Sequence, residues 1–258
     1  MRPGAIAGRL QCRPWRGFEA VIIAVDGPAG AGKSTVCKIL AETLGFVYLD
    51  TGAMYRAVAW ALEAASSEIE GKLQGKGEVE PGEISELLQR LPLRFSIKAN
   101  RLLIFYGERP LSKELRGPQI SDAASMISRL PAVREFMVTL QRDLAGSNNI
   151  VAEGRDTATV VFPKADLKVF LTADLQARAK RRFAEYLEKG IDLSLDEIQK
   201  RIGMRDEADA SRDHSPLRPA EGAVYLDTSH LGIEEVIDRL SNEVQSLIRA
   251  GSSTCLEL

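Results

Sequence analysis

Short apolar runs alternate with amphipathic stretches along this chain. Val21-Ile22-Ile23-Ala24-Val25 is rich in β-branched residues and stops at Asp26-Gly27-Pro28, the pattern of a strand buried on both faces. Val36, Ile39, Leu40 and Leu44 then recur at helical spacing, and Gly45 ends that helix. Phe46-Val47-Tyr48-Leu49 predicts a second strand, and Met54, Val58, Ala61 and Leu62 share one face of the next helix. Pro131 opens another helix, with Val133, Phe136, Met137, Leu140 and Leu144 on one face and Gly146 behind it. Ile150–Ala152, Leu167–Leu171 and Ala223–Leu226 predict three further strands. Between the last two lie helices near Ala173–Lys189 and Ser194–Gly203, the second opening on the capping box Ser194-Leu195-Asp196-Glu197. Ile233, Val236, Ile237, Leu240, Val244 and Leu247 mark a final helix. Strands that alternate with helices predict an α/β fold, a doubly wound, parallel, five-stranded sheet covered on both faces.

One stretch breaks the alternation. Glu70 to Glu83 is rich in Gly, Lys and Glu and reads as a mobile surface connection. Leu93–Ile97 and Leu102–Tyr106, joined through Lys98-Ala99-Asn100-Arg101, read as a hairpin. Residues 70–125 are therefore expected to form a small antiparallel insertion in the α/β domain.

Charge and composition narrow the class of protein. In 258 residues, 34 Lys and Arg face 36 Asp and Glu, so 34 − 36 = −2. That near balance argues against a nucleic-acid coat or a polybasic membrane binder. The 45% hydrophobic and 27% charged fractions are those of a folded globular chain. No apolar run approaches the roughly 18 residues of a membrane helix. Three cysteines (Cys12, Cys37, Cys255) do not suggest a disulfide framework, which points to a reducing, cytoplasmic setting. Two histidines (His214, His230) and no CxxC leave nothing resembling a zinc site. Residues 1–20 hold Arg2, Arg9, Arg13 and Arg16 with no acid before Glu19. They read as a disordered extension rather than a targeting peptide, because no apolar core of about 7–15 residues follows the arginines.

The strongest chemical signal is Gly27-Pro28-Ala29-Gly30-Ala31-Gly32-Lys33-Ser34, with Thr35 after it. It fits G-x-x-x-x-G-K-[ST] and lies between a predicted strand and a predicted helix, the context that gives the motif meaning. Its glycines let backbone N–H groups converge on phosphate oxygens, and the helix N-terminus adds partial positive charge. Lys33 would reach the β/γ-phosphates and the Ser34 hydroxyl would ligate Mg²⁺. A nucleoside triphosphate with Mg²⁺ is thus the expected ligand.

A phosphate loop alone does not say what the triphosphate is for. No N-K-x-D-like guanine reader appears. Arg56, Arg134, Arg155, Arg205 and Arg212 each have the bland reading of a surface ion pair. Asp50-Thr51-Gly52 and Glu153-Gly154-Arg155-Asp156, however, follow predicted strands, at the carboxyl ends where doubly wound sheets bind ligands.

The phosphate loop, Leu49-Asp50-Thr51-Gly52-Ala53-Met54-Tyr55-Arg56, Glu153-Gly154-Arg155-Asp156 and Arg205-Asp206-Glu207-Ala208-Asp209-Ala210-Ser211-Arg212 occur in that order. The set resembles the bacterial type of cytidylate kinase, over roughly residues 21–250. The resemblance implies ATP-dependent phosphorylation of CMP and dCMP with Mg²⁺ by a monomer with no nucleic-acid or membrane partner. It implies a kinase domain over 21–250, with 70–125 as the nucleotide-binding insertion, 183–212 as a lid, and a tail over 251–258. Carried over by position, Thr51, Ser125, Arg134 and Asp156 would line the cytosine pocket. Arg56 and Arg155 would hold the acceptor phosphate, Arg205 and Asp209 would meet the ribose hydroxyls, and Arg212 would lie beside the base and phosphate. Arg178 or Arg181 would reach the donor phosphates. Lys33, Arg155 and Arg205 are the cations expected to act in catalysis.

The chemistry is consistent with these assignments. Asp156 can accept from the cytosine amino group, while Arg134 and Ser125 can donate to O2 and N3. Forked arginines suit an acceptor phosphate, whose oxygens are already ionised at neutral pH, so no general base is needed. Glu153 could hold Mg²⁺ through water or could pair with Arg155. Two departures from the family stand out: Ala158 where a glycine is usual, and Ala208 where some members carry arginine. The alternatives are a phosphate-loop kinase for UMP, AMP, shikimate or dephospho-coenzyme A, and a nucleotide-dependent RNA-binding protein. The latter rests only on the basic extension and Lys180-Arg181-Arg182.

Overall fold

The computed structural model describes residues 20–65, 81–212 and 215–254. Most of the Glu70–Glu83 connection, the extension before Ala20, His214, Cys12 and Cys255 lie outside the described residues. In chain order the elements are β1 (Ile22–Asp26), α1 (Lys33–Leu44), β2 (Val47–Asp50), α2 (Thr51–Ala64), α3 (Pro81–Arg90), β3 (Leu93–Lys98), β4 (Arg101–Tyr106) and β5 (Arg109–Pro110). There follow α4 (Pro118–Ile127), α5 (Pro131–Ala145), β6 (Ile150–Gly154), β7 (Leu167–Thr172), α6 (Leu175–Glu188), α7 (Leu195–Ala210), β8 (Val224–Asp227) and α8 (Ile233–Thr254). The chain divides into two compact units, one of residues up to Tyr48 together with 147–258, the other of 49–146.

The first unit carries the parallel sheet, in the order β2-β6-β1-β7-β8. β1 pairs in parallel with β6, Ile22 opposite Ile150 and Asp26 opposite Gly154, and with β7, Ile23 opposite Leu167. β7 pairs in parallel with β8, Val169 opposite Val224. β1 is central, which is why its run carries no polar residue before Asp26. Ile23 and Val25 pack with Val36, Leu40 and Leu44 of α1 and with Ile237, Leu240 and Val244 of α8. The Cys37 thiol is fully buried within that core.

One boundary differs from the sequence expectation. α7 continues past Gly203 to Ala210. One glycine costs a helix only about 1 kcal/mol, and the capping box of Ser194 and Glu197 forms at the other end. Ile198 and Ile202 of α7 pack on Ala179 of α6 and hold the helix in place. A further feature is a π-helical turn at Thr157–Val161, a segment to which the sequence pattern assigned no element.

The second unit holds α2 to α5 and an antiparallel hairpin. β3 and β4 pair from Leu93 opposite Tyr106 to Lys98 opposite Arg101. Ala99 and Asn100 form the turn with φ of 50° and 60°, the left-handed pair that a tight two-residue hairpin requires. Ala57 of α2 packs with Ile104, Leu111 and Leu115, and Ala59 with Ile120 and Ala124 of α4. α3 and α4 are short helices that periodicity did not reveal.

The end of β1 is tied down by a buried carboxylate. Asp26, 1% exposed, accepts hydrogen bonds from Thr157 N (2.8 Å), Thr157 Oγ1 (2.7 Å) and Ala158 N (2.8 Å). Burial pushes its carboxyl up from the ordinary value and Asp156 adds to that, while the three donors pull it back in part. Asp26→Ala would leave those donors without their acceptor, at about 1–3 kcal/mol each. Part of that loss is offset by removing a desolvated acid. The expected net loss is about 3 kcal/mol in a urea melt, and a loss below about 1 kcal/mol would show the carboxylate to be dispensable.

Candidate active site

The phosphate loop owes its shape to three glycines with positive φ: Gly27 (150°), Gly30 (78°) and Gly32 (91°). A Cβ on Gly27 would lie 1.9 Å from the Leu171 carbonyl oxygen of β7. The loop therefore leaves β1 pressed against the neighbouring strand. Gly32 caps α1 without a side-chain hydrogen bond, so no capping side chain claims the first amides of the helix. That arrangement suits an anion.

Lys33 is buried, and its Nζ donates to the carbonyls of Gly27 and Pro28, both at 2.8 Å. Burial, then Arg155, push its pKa down from 10.5 to about 7, against the opposing pull of Glu153, Cys37 and Asp26. Ser34 Oγ donates to Glu153 Oε2 at 3.0 Å. The Tyr48 hydroxyl donates to Glu153 Oε1 in a short bond. A hydroxyl and a carboxylate are hard oxygen donors, which suit Mg²⁺. Among the described residues no group of three or more His, Cys, Asp or Glu could hold a metal by itself. The donor set therefore fits an ion that brings water and phosphate oxygens with it, as Mg²⁺ does.

The arginines gather on one carboxylate. Asp209 is fully buried on α7, and its Oδ2 accepts from Arg155 Nε at 2.8 Å. Its Oδ1 accepts from Arg212, and Arg205 Nε stands 4.0 Å from Oδ2. Burial alone would raise the Asp209 carboxyl, but Arg155, Arg212 and Arg205 outweigh it and hold the group below its ordinary value. Arg155 also donates from NH1 to the Gly154 carbonyl at 3.2 Å. Four residues carried over by resemblance thus form one ionic cluster. Asp156, beside it in sequence, is buried.

Arg178 and Arg181 of α6 are held against the phosphate loop. Arg178 donates from Nε to the Ala173 carbonyl (2.9 Å) and from NH1 to the Ala29 carbonyl (3.2 Å), and pairs with Asp206 at 2.5 Å. Arg181 NH1 donates to Thr228 Oγ1 at 3.0 Å, and NH2 to the Thr228 carbonyl. Thr228 Oγ1 in turn bonds the carbonyls of Thr172 (3.0 Å) and Ala31 (3.2 Å). Sequence reading missed the roles of Asp26, Tyr48, Asp206 and Thr228. Asp206 lies inside a quoted motif and Asp26 directly before the phosphate loop, whereas Tyr48 and Thr228 carry no local signal.

In the second unit, Asp50 caps α2 by accepting from Ala53 N at 2.7 Å and pairs with Arg56 at 3.3 Å. A Cβ on Gly52 would come within 3.1 Å of Arg56 NH1, so the glycine makes room for that guanidinium. Thr51 is buried at the start of α2. Ser128 links two more expected residues: its Oγ donates to the Ser125 carbonyl (2.8 Å), and its own carbonyl accepts from Arg134 NH1 (3.2 Å).

The family model described as cytidylate kinase matches residues 23–246. The chain belongs to the cytidylate kinase family. A cytidylate kinase from Streptococcus pneumoniae (strain 70585) is 42% identical over 229 residues, 88% of this chain and 99% of that protein. One from Carboxydothermus hydrogenoformans is 44% identical over 218 residues, 84% of this chain and 94% of that one. Among solved structures, a shikimate kinase from Acinetobacter baumannii in complex with shikimate aligns with a TM-score of 0.41 at 14% identity, covering 90% of this chain and 98% of that one. Of the two departures from the cytidylate kinase pattern, Ala158 is buried and donates its amide to Asp26 Oδ2. It is not among the residues with positive φ, so its methyl brings no backbone strain. Ala208 is half-buried on α7.

Gly27→Ala must push β7 and the loop apart. It is expected to weaken triphosphate binding at least about tenfold in a fluorescent-nucleotide titration. Gly45→Ala, which meets nothing within 4 Å despite a φ of 68°, is expected to leave binding intact. Equal binding by wild type and Gly27→Ala would refute the steric argument.

Proposed function

We propose that this member of the cytidylate kinase family transfers the γ-phosphoryl group of ATP to CMP or dCMP, giving ADP and CDP or dCDP. The observation that carries this reading is the family match along residues 23–246, which spans the phosphate loop and the arginine cluster around Asp209 alike. Phosphoryl transfer asks mainly for positioning and charge neutralisation, and cations near the phosphate loop supply it.

The roles follow from donor and acceptor chemistry. The loop amides of residues 27–35 cradle the donor phosphates, and Lys33 offers its ammonium to the transferred group. Arg155, Arg205 and Arg212 carry positive charge that Asp209 collects and orients. Arg155 and Arg56 hold the acceptor phosphate, and Arg205 with Asp209 meet the ribose. Thr51, Ser125, Arg134 and Asp156 read the base, with Asp156 accepting from the cytosine amino group. Uracil would offer an acceptor there, a mismatch worth about 1–3 kcal/mol or more. Ser34, with Glu153 through water, would hold Mg²⁺, which when bound neutralises charge on the transferred phosphoryl oxygens. Residues 70–125 and 183–212 are assigned to acceptor binding and to a lid, and the protein to a monomer of the cytoplasmic pyrimidine-nucleotide pathway. Among the described residues no helix is long and apolar enough to cross a membrane.

The deciding experiment measures ADP release from Mg-ATP with CMP, dCMP, UMP, AMP or no acceptor. CMP and dCMP are expected to stimulate release strongly, with little hydrolysis in their absence. UMP or AMP outperforming CMP at equal concentration would overturn the acceptor assignment. Lys33 gives a second prediction. Its pKa is pushed from the ordinary 10.5 down to about 7, so at pH 8 the nucleotide-free side chain holds its proton less firmly than an ordinary lysine. Triphosphate oxygens favour the ammonium form and raise that pKa, so binding at pH 8 takes up protons. Calorimetric titration with ATP in buffers of different ionisation enthalpy should show a net proton uptake at pH 8. Zero uptake or release would contradict a lowered lysine pKa.

A further inference from the structure

Tyr48 sits on β2 with its ring against the core formed by β1, β7, α1 and α8. That packing leaves the phenol ring little freedom, so the position of its hydroxyl is set by the fold. The hydroxyl donates to Glu153 Oε1, and Ser34 Oγ donates to Glu153 Oε2 at 3.0 Å. Glu153 is itself 4% exposed, one residue from the end of β6. A glutamate has three side-chain torsions and would otherwise sample several headgroup orientations. Two hydroxyl donors, one on each oxygen, fix the plane of this one.

We propose that Tyr48 is a positioning residue for the phosphoryl-transfer site. Its hydroxyl holds Glu153 with Oε2 turned toward the Ser34 hydroxyl, so that the two are arranged in advance for the divalent cation that accompanies the triphosphate. The proposal rests on the reading of Ser34 and Glu153 as the cation's protein partners. Tyr48 touches neither nucleotide nor metal in this scheme; it acts through Glu153. Outer-shell partners that orient a metal-binding carboxylate commonly change metal affinity by about 10–100-fold when removed.

Tyr48→Phe removes one oxygen and keeps the ring. The test measures Mn²⁺ binding to the enzyme–ADP complex by electron paramagnetic resonance, alongside the free Mg²⁺ needed for half-maximal turnover. The expected result is Mn²⁺ binding about 10-fold weaker, a matching rise in the Mg²⁺ requirement, and an unchanged KM for CMP at saturating Mg²⁺. Because Tyr48 acts through Glu153, adding Tyr48→Phe to Glu153→Gln should cause no further loss. Wild-type Mn²⁺ affinity in Tyr48→Phe, or an equal further loss in the Glu153→Gln background, would overturn the proposal. So would a fall in melting temperature with Mn²⁺ affinity retained, since that is what a purely structural tyrosine would show. If the wild-type enzyme itself bound no Mn²⁺ in the presence of ADP, the metal reading would fall and this proposal with it.

Discussion

A buried carboxylate at the end of the central strand governs much of this site. Asp26 lies where β1 gives way to the phosphate loop, and its two oxygens take three hydrogen bonds from Thr157 and Ala158. An acid in such a place costs free energy unless its lone pairs are filled. Here the backbone just beyond β6 fills them, and in doing so bends into the turn at Thr157–Val161. The residues between β6 and that turn are Arg155 and Asp156. One unfavourable burial thus fixes two things together, the foot of the phosphate loop and the loop bearing the acceptor-side charges. Gly27 adds the steric half of the constraint, because only a residue without Cβ passes Leu171 at that distance.

The positive charges are managed by a consistent device. Each buried or half-buried basic side chain named here is matched to backbone carbonyls or to a carboxylate: Lys33 to Gly27 and Pro28, Arg178 to Ala29, Ala173 and Asp206, and Arg155 with Arg212 to Asp209. Guanidinium groups crowded without such partners would repel one another and lose their solvation. Asp209 therefore does more than meet a ribose. It stays ionised because its arginines outweigh its burial, and that charge allows them to stand together. The residues that neutralise the arginines decide where phosphate-binding charge can be kept.

The alternation of strands and helices was legible because parallel strands covered on both faces are largely apolar, as at Ile22–Val25 and, apart from the half-buried Lys168, at Leu167–Leu171. The phosphate loop was legible because its chemistry is contiguous in the chain. Other features depend on distant partners. Tyr48 meets Glu153 across 105 residues and Asp26 meets Thr157 across 131, so no local pattern announces either contact. The continuation of α7 beyond Gly203 depends on packing against α6, which outweighs the local cost of the glycine. The hairpin turn puts Ala99 in a left-handed conformation that alanine seldom adopts, and cross-strand pairing of Lys98 with Arg101 imposes it.

These long-range contacts share a direction. Asp26 reaches from β1 to the segment after β6, Tyr48 from β2 to β6, and Arg178 from α6 to the loop after β1. Each ties the carboxyl end of one strand, or the loop beyond it, to a neighbouring element. In a doubly wound sheet those carboxyl ends are where the backbone leaves the ladder and its polar groups lose their partners. Side chains that satisfy them there also set the loops, so the requirement to fill buried hydrogen bonds and the requirement to hold a rigid phosphate site are met by the same residues. Substitutions at these positions should therefore couple stability to nucleotide binding, whereas changes in the α8 core should lower stability with the site chemistry unaltered.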